Sequence, residues 1–397
     1  MQAKFEHEGK YPFLLQELPA PLKAELQILQ DFFAPYTKRI YMVGGSVRDL
    51  VRKHLHQESE PIKDLDLEVF GIEPELFDDL MQKLGAKGVG KSFFVYKYRN
   101  NIDISLPRIE RKVAKGHRGF AVALAKEEKE ASQRRDFRLN ALMLDIFSGK
   151  LLDFWGGIED IAAKRIAIID EEHFKEDSLR VLRGMQFAAR FGYKIDLKSC
   201  EVMRQMDLND LSKERIFWEF EKMFKAKHLH FGLYYLLTLN IAKKIFKIAP
   251  KKSFFFKTAL EMKRAQKSFY DPLKKFYFLY IFAKNLHKNF FFFLDILQTP
   301  REYYKIFKNQ KALPKRRTDR FLAAMALRLP IKEYLGNYKQ DVTIRAKKFG
   351  FWDEKFVPIS AKELMARGYS GKELGVMLRK ESLKIVKERF ACKVTEF

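Results

Sequence analysis

Cysteine is almost missing from this chain: Cys200 and Cys392 are the only two in 397 residues. Two isolated thiols exclude a disulfide framework and a cysteine-based metal site. Long apolar runs are missing as well. Phe276 to Ala283 and Phe290 to Leu294 are far shorter than the ~20 residues a bilayer-crossing helix requires. The N-terminus, Met1-Gln2-Ala3-Lys4-Phe5-Glu6, lacks the basic-then-apolar layout of a signal peptide, so a cytoplasmic location is expected. Histidines number eight, and His54 and His56 stand two apart on a predicted helix. That spacing turns their rings in different directions, which argues against a shared metal. No repeat of fixed period and no low-complexity linker interrupts the sequence.

Acidic residues are in deficit. Lys and Arg total 76 against 51 Asp and Glu, a net charge of +25. Such an excess marks an anionic partner. With no membrane-anchoring segment in view, that partner is expected to be nucleic acid, and no obligate protein partner is evident. A hydrophobic content of 47% suffices for a core, and the length predicts more than one domain.

The first 150 residues mix strand and helix signals. Arg39 to Val43 is a short apolar run ending in Gly44-Gly45, followed by a helical pattern from Ser46 to about His56. Leu65 to Phe70 alternates acidic and apolar residues as a half-buried strand does. Ser92 to Tyr98 and Ile102 to Leu106 flank a predicted turn at Arg99-Asn100-Asn101, and Gly119 to Ala125 is another candidate strand. Beyond Trp155 the strand signals fade. Ser178 to Arg190, Lys213 to Lys225, Phe231 to Phe246 and Phe255 to Arg264 carry apolar residues at helical spacing.

Two motifs in the first part carry chemistry. In Gly44-Gly45-Ser46-Val47-Arg48-Asp49, a strand runs through two glycines into a helix start. Backbone N–H groups there face an anion such as a triphosphate, with Arg48 adding charge one turn in. In Lys63-Asp64-Leu65-Asp66-Leu67-Glu68, Asp64 and Asp66 stand two apart on a strand and so share a face. Paired carboxylates are what a Mg²⁺ pair needs to clamp the attacking and leaving oxygens of a phosphoryl transfer. Asp103, beside the predicted turn, is a candidate third carboxylate or a structural residue.

Together these motifs resemble the signature of the class II tRNA nucleotidyltransferase and bacterial poly(A) polymerase family. Three further segments match it in order: Arg134-Arg135-Asp136-Phe137-Arg138-Leu139-Asn140-Ala141, Asp153-Phe154-Trp155-Gly156-Gly157-Ile158-Glu159-Asp160, and Glu176-Asp177-Ser178-Leu179-Arg180-Val181-Leu182-Arg183. Leu211-Ser212, Glu214-Arg215 and Ile216 fit the last motif, so the likeness covers roughly Tyr41 to Phe224. Ile359 to Leu378 is similar, more loosely, to the family's tRNA-contacting tail.

The resemblance implies an α+β architecture: a nucleotidyltransferase head with a mixed sheet over 1–155, then a helical neck over 156–225, body over 226–330 and tail over 331–397. It implies template-independent addition of CCA to the 3′ end of tRNA from CTP and ATP. Asp64 and Asp66 are expected to hold Mg²⁺. Gly44, Gly45, Ser46, Arg48, Arg135, Asp136, Asn140 and Arg183 are expected at the nucleotide, with Asp177 and Arg180 pairing with its base edge. Asn140 is expected one helical turn beyond Asp136, on the same face. The loop around His117 is expected either to help the switch from C to A addition or simply to connect. Arg138, Phe154 and Ser178 depart from the family's Thr, Pro and Pro, and Gln186 stands where relatives carry an arginine. These departures bear on base specificity.

The basic pairs of the helical remainder, among them Lys243-Lys244, Lys274-Lys275 and Lys315-Arg316-Arg317, either contact RNA phosphates or solvate helix faces. Its Phe clusters are expected to be core. Rival activities are partial addition of CC or A alone, poly(A) polymerase, and RNA binding without catalysis. Poly(A) polymerases commonly extend further in a basic tail, whereas this chain ends at Lys393-Val394-Thr395-Glu396-Phe397, soon after the tail segment.

Overall fold

A computed structural model of the protein describes residues 8–58, 61–89, 94–112, 120–310, 313–314 and 317–390. The His117 loop, Lys315, Arg316 and Cys392 lie outside the described residues. The chain divides into two compact units, Met1–Arg215 with Tyr235–Lys244, and Ile216–Tyr234 with Ile245–Phe397.

The first unit holds every described strand: β1 (Glu8–Lys10), β2 (Ile40–Val43), β3 (Leu65–Val69), β4 (Lys87–Gly88), β5 (Val95–Tyr98), β6 (Ile102–Ser105), β7 (Arg108–Lys112), β8 (Phe120–Leu124), β9 (Met143–Asp145), β10 (Lys150–Leu152), β11 (Arg165–Ile166) and β12 (Lys194–Ile195). Eight of them form one mixed sheet in the order β1-β10-β9-β2-β3-β6-β5-β4. Its parallel pair is β3 with β6, and its other ladders are antiparallel. β7 and β8 form a separate antiparallel pair. The expected mixed sheet is therefore present, followed by helices.

The apolar run Ile40–Val43 has all four residues buried, as suits a strand with neighbours on both sides. β3 alternates as expected up to a point: Asp66 is exposed between buried Leu65 and Leu67, but Glu68 is buried as well. The turn between β5 and β6 falls where predicted, with Arg99 at a left-handed φ of 57°.

One helical expectation is corrected. Phe231 to Phe246 is not continuous; it is two helices, Leu229–Thr238 and Ile241–Phe246. Asn240 between them adopts φ 59°, a conformation that asparagine tolerates better than most residues and that cannot continue a helix.

In the second unit all described elements are helical. Most of its Phe clusters are core, as expected: Phe220, Phe224, Phe246, Phe278, Phe282 and Phe293 are buried, whereas Phe256 is exposed. Phe246 meets Phe220 and Phe293 edge-on at 5.5 and 5.2 Å, and Phe224 stacks on Phe278 at 5.3 Å. A second cluster gathers Leu322, Ile331, Val342, Phe351 and Val386. No helix among the described residues is long and apolar enough to cross a membrane.

Several basic residues expected on solvated or RNA-facing surfaces have structural work instead. Lys275 pairs with Glu302 at 2.6 Å, and Arg317 with Asp341 at 2.7 Å. In the first unit, the Lys244 ammonium donates to the backbone carbonyls of Met203, Arg204 and Met206 at 3.4, 2.8 and 2.6 Å. It satisfies carbonyls left open at the end of the helix Leu197–Gln205.

Candidate active site

The site forms where β2 ends. Val43 lies opposite Asp66 in the antiparallel ladder, and Asp66 lies opposite Asp103 in the parallel one. Asp66 is thus flanked by the glycine turn on one side and a second carboxylate on the other. Asp64 precedes the first residue of β3 and is exposed.

Gly44 has φ 72° and ψ −131°, a backbone conformation open almost only to glycine. The turn then enters the helix Gly45–His56, leaving the first amides of that helix without intrahelical partners. A Cβ placed on Gly44 would stand 3.4 Å from Arg135 Nη1 and 3.5 Å from Asp66 Oδ2. The glycine turn, an arginine and a carboxylate thus meet around one point.

Arg135 is held there by Glu68, which the sequence reading left without a role. Arg134 Nη2 and Arg135 Nη2 both donate to Glu68 Oε1, at 2.7 and 2.8 Å. Period-two alternation from Asp64 through Asp66 to Glu68 was the available signal.

Asp66, although its side chain still reaches solvent, has a raised pKa: the surrounding protein partly desolvates it, and the Asp103, Glu68 and Asp64 charges push the same way against the pull of Arg135. Folding therefore tightens proton binding at this carboxyl. Stability from Asp66 is present below the ordinary aspartate range and lost as pH rises through its raised value. In EDTA at neutral pH, Asp66→Asn is accordingly expected to melt at a higher temperature than the parent, with added Mg²⁺ raising the parent alone. A lower melting temperature for the variant would contradict this.

Arg48 is placed differently from a solvent-facing phosphate ligand. Its guanidinium is buried, 3% exposed for the whole residue. It donates to Asp49 through Nε and Nη2 at 3.0 and 2.9 Å, and through Nη1 to Asn140 Oδ1 at 2.6 Å. The plane also lies over Phe191, 4.6 Å from the ring centre. Ser46 is buried, its hydroxyl donating to the Val43 carbonyl at 3.2 Å.

The chain of bonds continues. Asn140 Nδ2 donates to Asp136 Oδ1 at 2.9 Å, and Arg183 Nε donates to Asp136 Oδ2 at 2.6 Å. Asp136 is buried; desolvation opposes its ionisation, yet Arg183, Asn140 and Arg180 together hold its pKa below the usual value. The expected helix between Asp136 and Asn140 is absent: Phe137 is extended, bridging Ile168, and Arg138–Asn140 is one 3-10 turn. The two side chains meet because the chain doubles back, not through helical periodicity. Arg138 uses its Nε on the Ile168 carbonyl at 3.2 Å.

Asp177 stands two residues before the helix Leu179–Phe191 and accepts from the Leu179 amide at 3.1 Å. Asp177, Arg180 and Arg183 are half-buried, whereas Gln186, at the next step of the row, is buried. Arg180 donates to the carbonyls of His173 and Arg134 at 2.7 and 2.6 Å, tying this helix to the Arg134-Arg135 segment. Arg215, within the Leu211 to Ile216 motif, joins the site without having been expected there. Its Nη2 reaches both oxygens of Asp177, at 3.2 and 3.1 Å.

The segment from Asp153 to Asp160 is a scaffold. The Asp153 carboxylate accepts from the amides of Gly157 and Ile158 at 2.8 and 2.9 Å, capping the helix Gly157–Ala162. Trp155 Nε1 donates to Ser132 Oγ at 2.9 Å. A Cβ on Gly157 would lie 2.4 Å from the Arg138 carbonyl oxygen, so the two backbones pack without room for a side chain. Gly157→Ala is expected to cost about 1–3 kcal/mol. Thermal melting checks this, and a midpoint within ~1 °C of the parent would refute it.

Among the described residues, no group of three or more His, Cys, Asp or Glu side chains is arranged as a metal cage. His54 pairs with Glu17 and His56 with the Ile161 carbonyl, so the two diverge as expected.

Known proteins resemble this chain in sequence and in fold. Residues 40–167 match the family model described as the poly A polymerase head domain, and residues 192–251 match the "Probable RNA and SrmB- binding site of polymerase A". A multifunctional CCA protein of Nitrosospira multiformis is 36% identical over 197 residues, 48% of this chain and 45% of that one. Its counterpart from Xylella fastidiosa strain M23 is 35% identical over 210 residues, 50% of this chain and 48% of that one. The chain thus spans about half the length of the curated relatives it matches. A Thermotoga maritima CCA-adding enzyme complexed with tRNA superposes with a TM-score of 0.67 at 19% identity, over 99% of this chain and 97% of that one. The Bacillus stearothermophilus CCA-adding enzyme in complex with CTP gives 0.65 at 18%, over 94% of each. At such identities the structural likeness is one of fold. The family models and the curated relatives bear out the resemblance drawn from the motifs, and the solved structures bear out the fold.

Proposed function

From a chain whose residues 40–167 match the poly A polymerase head domain, we propose a cytoplasmic enzyme that extends RNA 3′ ends without a template, completing tRNA with CCA from CTP and ATP. The observation that carries this reading is the meeting of Gly44, Arg135 and Asp66 around one point. It supplies an amide cradle for phosphates, a cation beside them and a metal-binding carboxylate.

The residues present fit divalent metal. Asp66 is crowded by like charges, and Asp103 Oδ1 and Glu68 Oε2 are buried without hydrogen-bond partners. Lys97 approaches Asp103 only to 4.0 Å. A two-carboxylate site without a full protein cage suits Mg²⁺, which keeps waters and substrate phosphates among its ligands. Asp64 and Asp66 would hold Mg²⁺, which when bound supplies Lewis-acid activation of the attacking 3′ hydroxyl and neutralises triphosphate charge.

The chain's own groups do the rest. The Gly44, Gly45 and Ser46 backbone cradles the triphosphate, with Arg135 balancing its charge. Asp177 and Arg180 present an acceptor and a donor fork to the base edge, with Arg215 orienting Asp177. Arg48, Asn140, Asp136 and Arg183 hold the cradle and the selecting helix in register. In functional terms the chain runs from a head (1–155) through a neck (156–225) and body (226–330) to a tRNA-binding tail (331–397).

The test is incorporation of labelled CTP and ATP, with Mg²⁺, into tRNAs ending before CCA, after one C and after CC. Three additions followed by arrest support complete CCA synthesis. CC without A, or A only after CC, replaces it with partial addition, and long A tails replace it with poly(A) synthesis. Binding without incorporation on any tRNA overturns the enzymatic reading.

A further inference from the structure

The second unit contains a cavity of about 690 Å³, within the range of small-ligand sites. We propose that it is a phosphate-binding site, separate from the head chemistry. Lys257, Arg264, Lys284, Arg317 and Lys339 line it, against one lining carboxylate, Glu261. Five cations less one anion leave a lining charge of +4.

That single carboxylate is fully engaged. Glu261 Oε1 accepts from Lys284, Lys339 and the Tyr338 hydroxyl at 2.7, 2.5 and 2.8 Å, and Oε2 accepts from Asn285 at 2.9 Å. The carboxylate fixes two ammonium groups but can neutralise no others. Arg317 is balanced by Asp341. Lys257 and Arg264 have no ion pair among the described residues.

Lys257 and Arg264 are both solvent-exposed, and what ties them to the cavity is their place on one helix face. Lys257, Leu260, Glu261 and Arg264 follow the three-and-four spacing of one stripe of the helix Lys252–Ala265, so the stripe that lines the cavity carries both free cations. Burial and the neighbouring Lys339 and Lys257 charges lower the pKa of Lys284, although Glu261 pulls it back. Like charges gathered in a concavity are repulsive until an anion arrives. A phosphate group, with several acceptor oxygens, meets that need better than a monovalent carboxylate. The phosphate comes either from a free phosphate compound or from an RNA backbone.

The full-length protein is titrated calorimetrically at low salt in EDTA, with inorganic pyrophosphate and separately with a short RNA duplex. The comparison is between the parent, Lys257→Ala/Arg264→Ala, and Lys263→Ala/Lys267→Ala, which removes equal charge from exposed positions of the same segment outside the cavity. Loss of about tenfold or more in pyrophosphate affinity for the cavity pair alone is expected, since two charge-assisted contacts disappear. The same selective loss for RNA but not pyrophosphate upholds the site and assigns its phosphate to RNA. No selective loss for either probe, or equal loss in the control pair, overturns the proposal. Melting curves confirm that both variants fold. Incorporation assays are independent of this outcome, so the head reading and the cavity stand or fall separately.

Discussion

Asp64→Ala/Asp66→Ala is expected to lower nucleotide incorporation at least about a thousandfold while leaving tRNA affinity near that of the parent. Under the proposed function these two carboxylates would hold the metal and contribute several kcal/mol of charge stabilisation to phosphoryl transfer, and ~4 kcal/mol is a factor of a thousand in rate. RNA affinity depends instead on cations spread over the chain. Loss of charge repulsion around Asp66 should also leave the doubly substituted fold no less stable. Activity within tenfold of the parent would remove Asp64 and Asp66 from the metal site. Asp103→Ala is the informative companion, because Asp103 lies opposite Asp66 in the β3–β6 register. A large rate loss in that variant would make it a third working carboxylate rather than a wall of the site.

Arg48→Ala is expected to destabilise the first unit by about 3 kcal/mol or more. Removing one partner of a buried ion pair leaves the other charge stranded. Asp49 has only 12% of its side chain exposed, and Asn140 loses its 2.6 Å donor. The remaining arginines moderate the damage, since Arg52 and Arg190 stand 3.3 and 3.6 Å from Asp49. For a unit of this size the midpoint should fall by roughly 6–12 °C. Differential scanning calorimetry measures it. A midpoint close to the parent's, with a weakened KM for nucleotide, would mean that Arg48 serves the triphosphate directly and not through the fold.

The contrast between these two substitutions marks where sequence reasoning reached and where it stopped. Asp64 and Asp66 follow from a two-residue period that any strand imposes, and Gly44 from a strand meeting a helix start. Both are local rules, so the sequence alone reaches them. Arg48 looked like a phosphate ligand because its type and offset suit one. Its engagement with Asn140, ninety-two positions away, is a tertiary fact that no local pattern carries. Asp136 and Asn140 were expected together for a helical reason that proved wrong; Phe137 is drawn instead into a bridge with Ile168. Glu68 and Arg215 were quoted in motifs but given no role, because what they do is hold Arg135 and Asp177, and partners of partners leave no signature of their own. The break at Asn240 was hidden by apolar spacing that continues across it.

Trp155, anchored through its indole N–H to Ser132, is one of three tryptophans and the single one in the first unit; Trp218 and Trp352 lie in the second. Phenylalanine, which fills the second unit's core, is nearly silent in ultraviolet emission. With Trp218 and Trp352 replaced by phenylalanine, and with excitation beyond the absorption of the 16 tyrosines, fluorescence would therefore come from one fixed lamp beside the helix capped by Asp153. Quenching, anisotropy and stopped-flow traces would then follow events in the first unit alone, without a label attached.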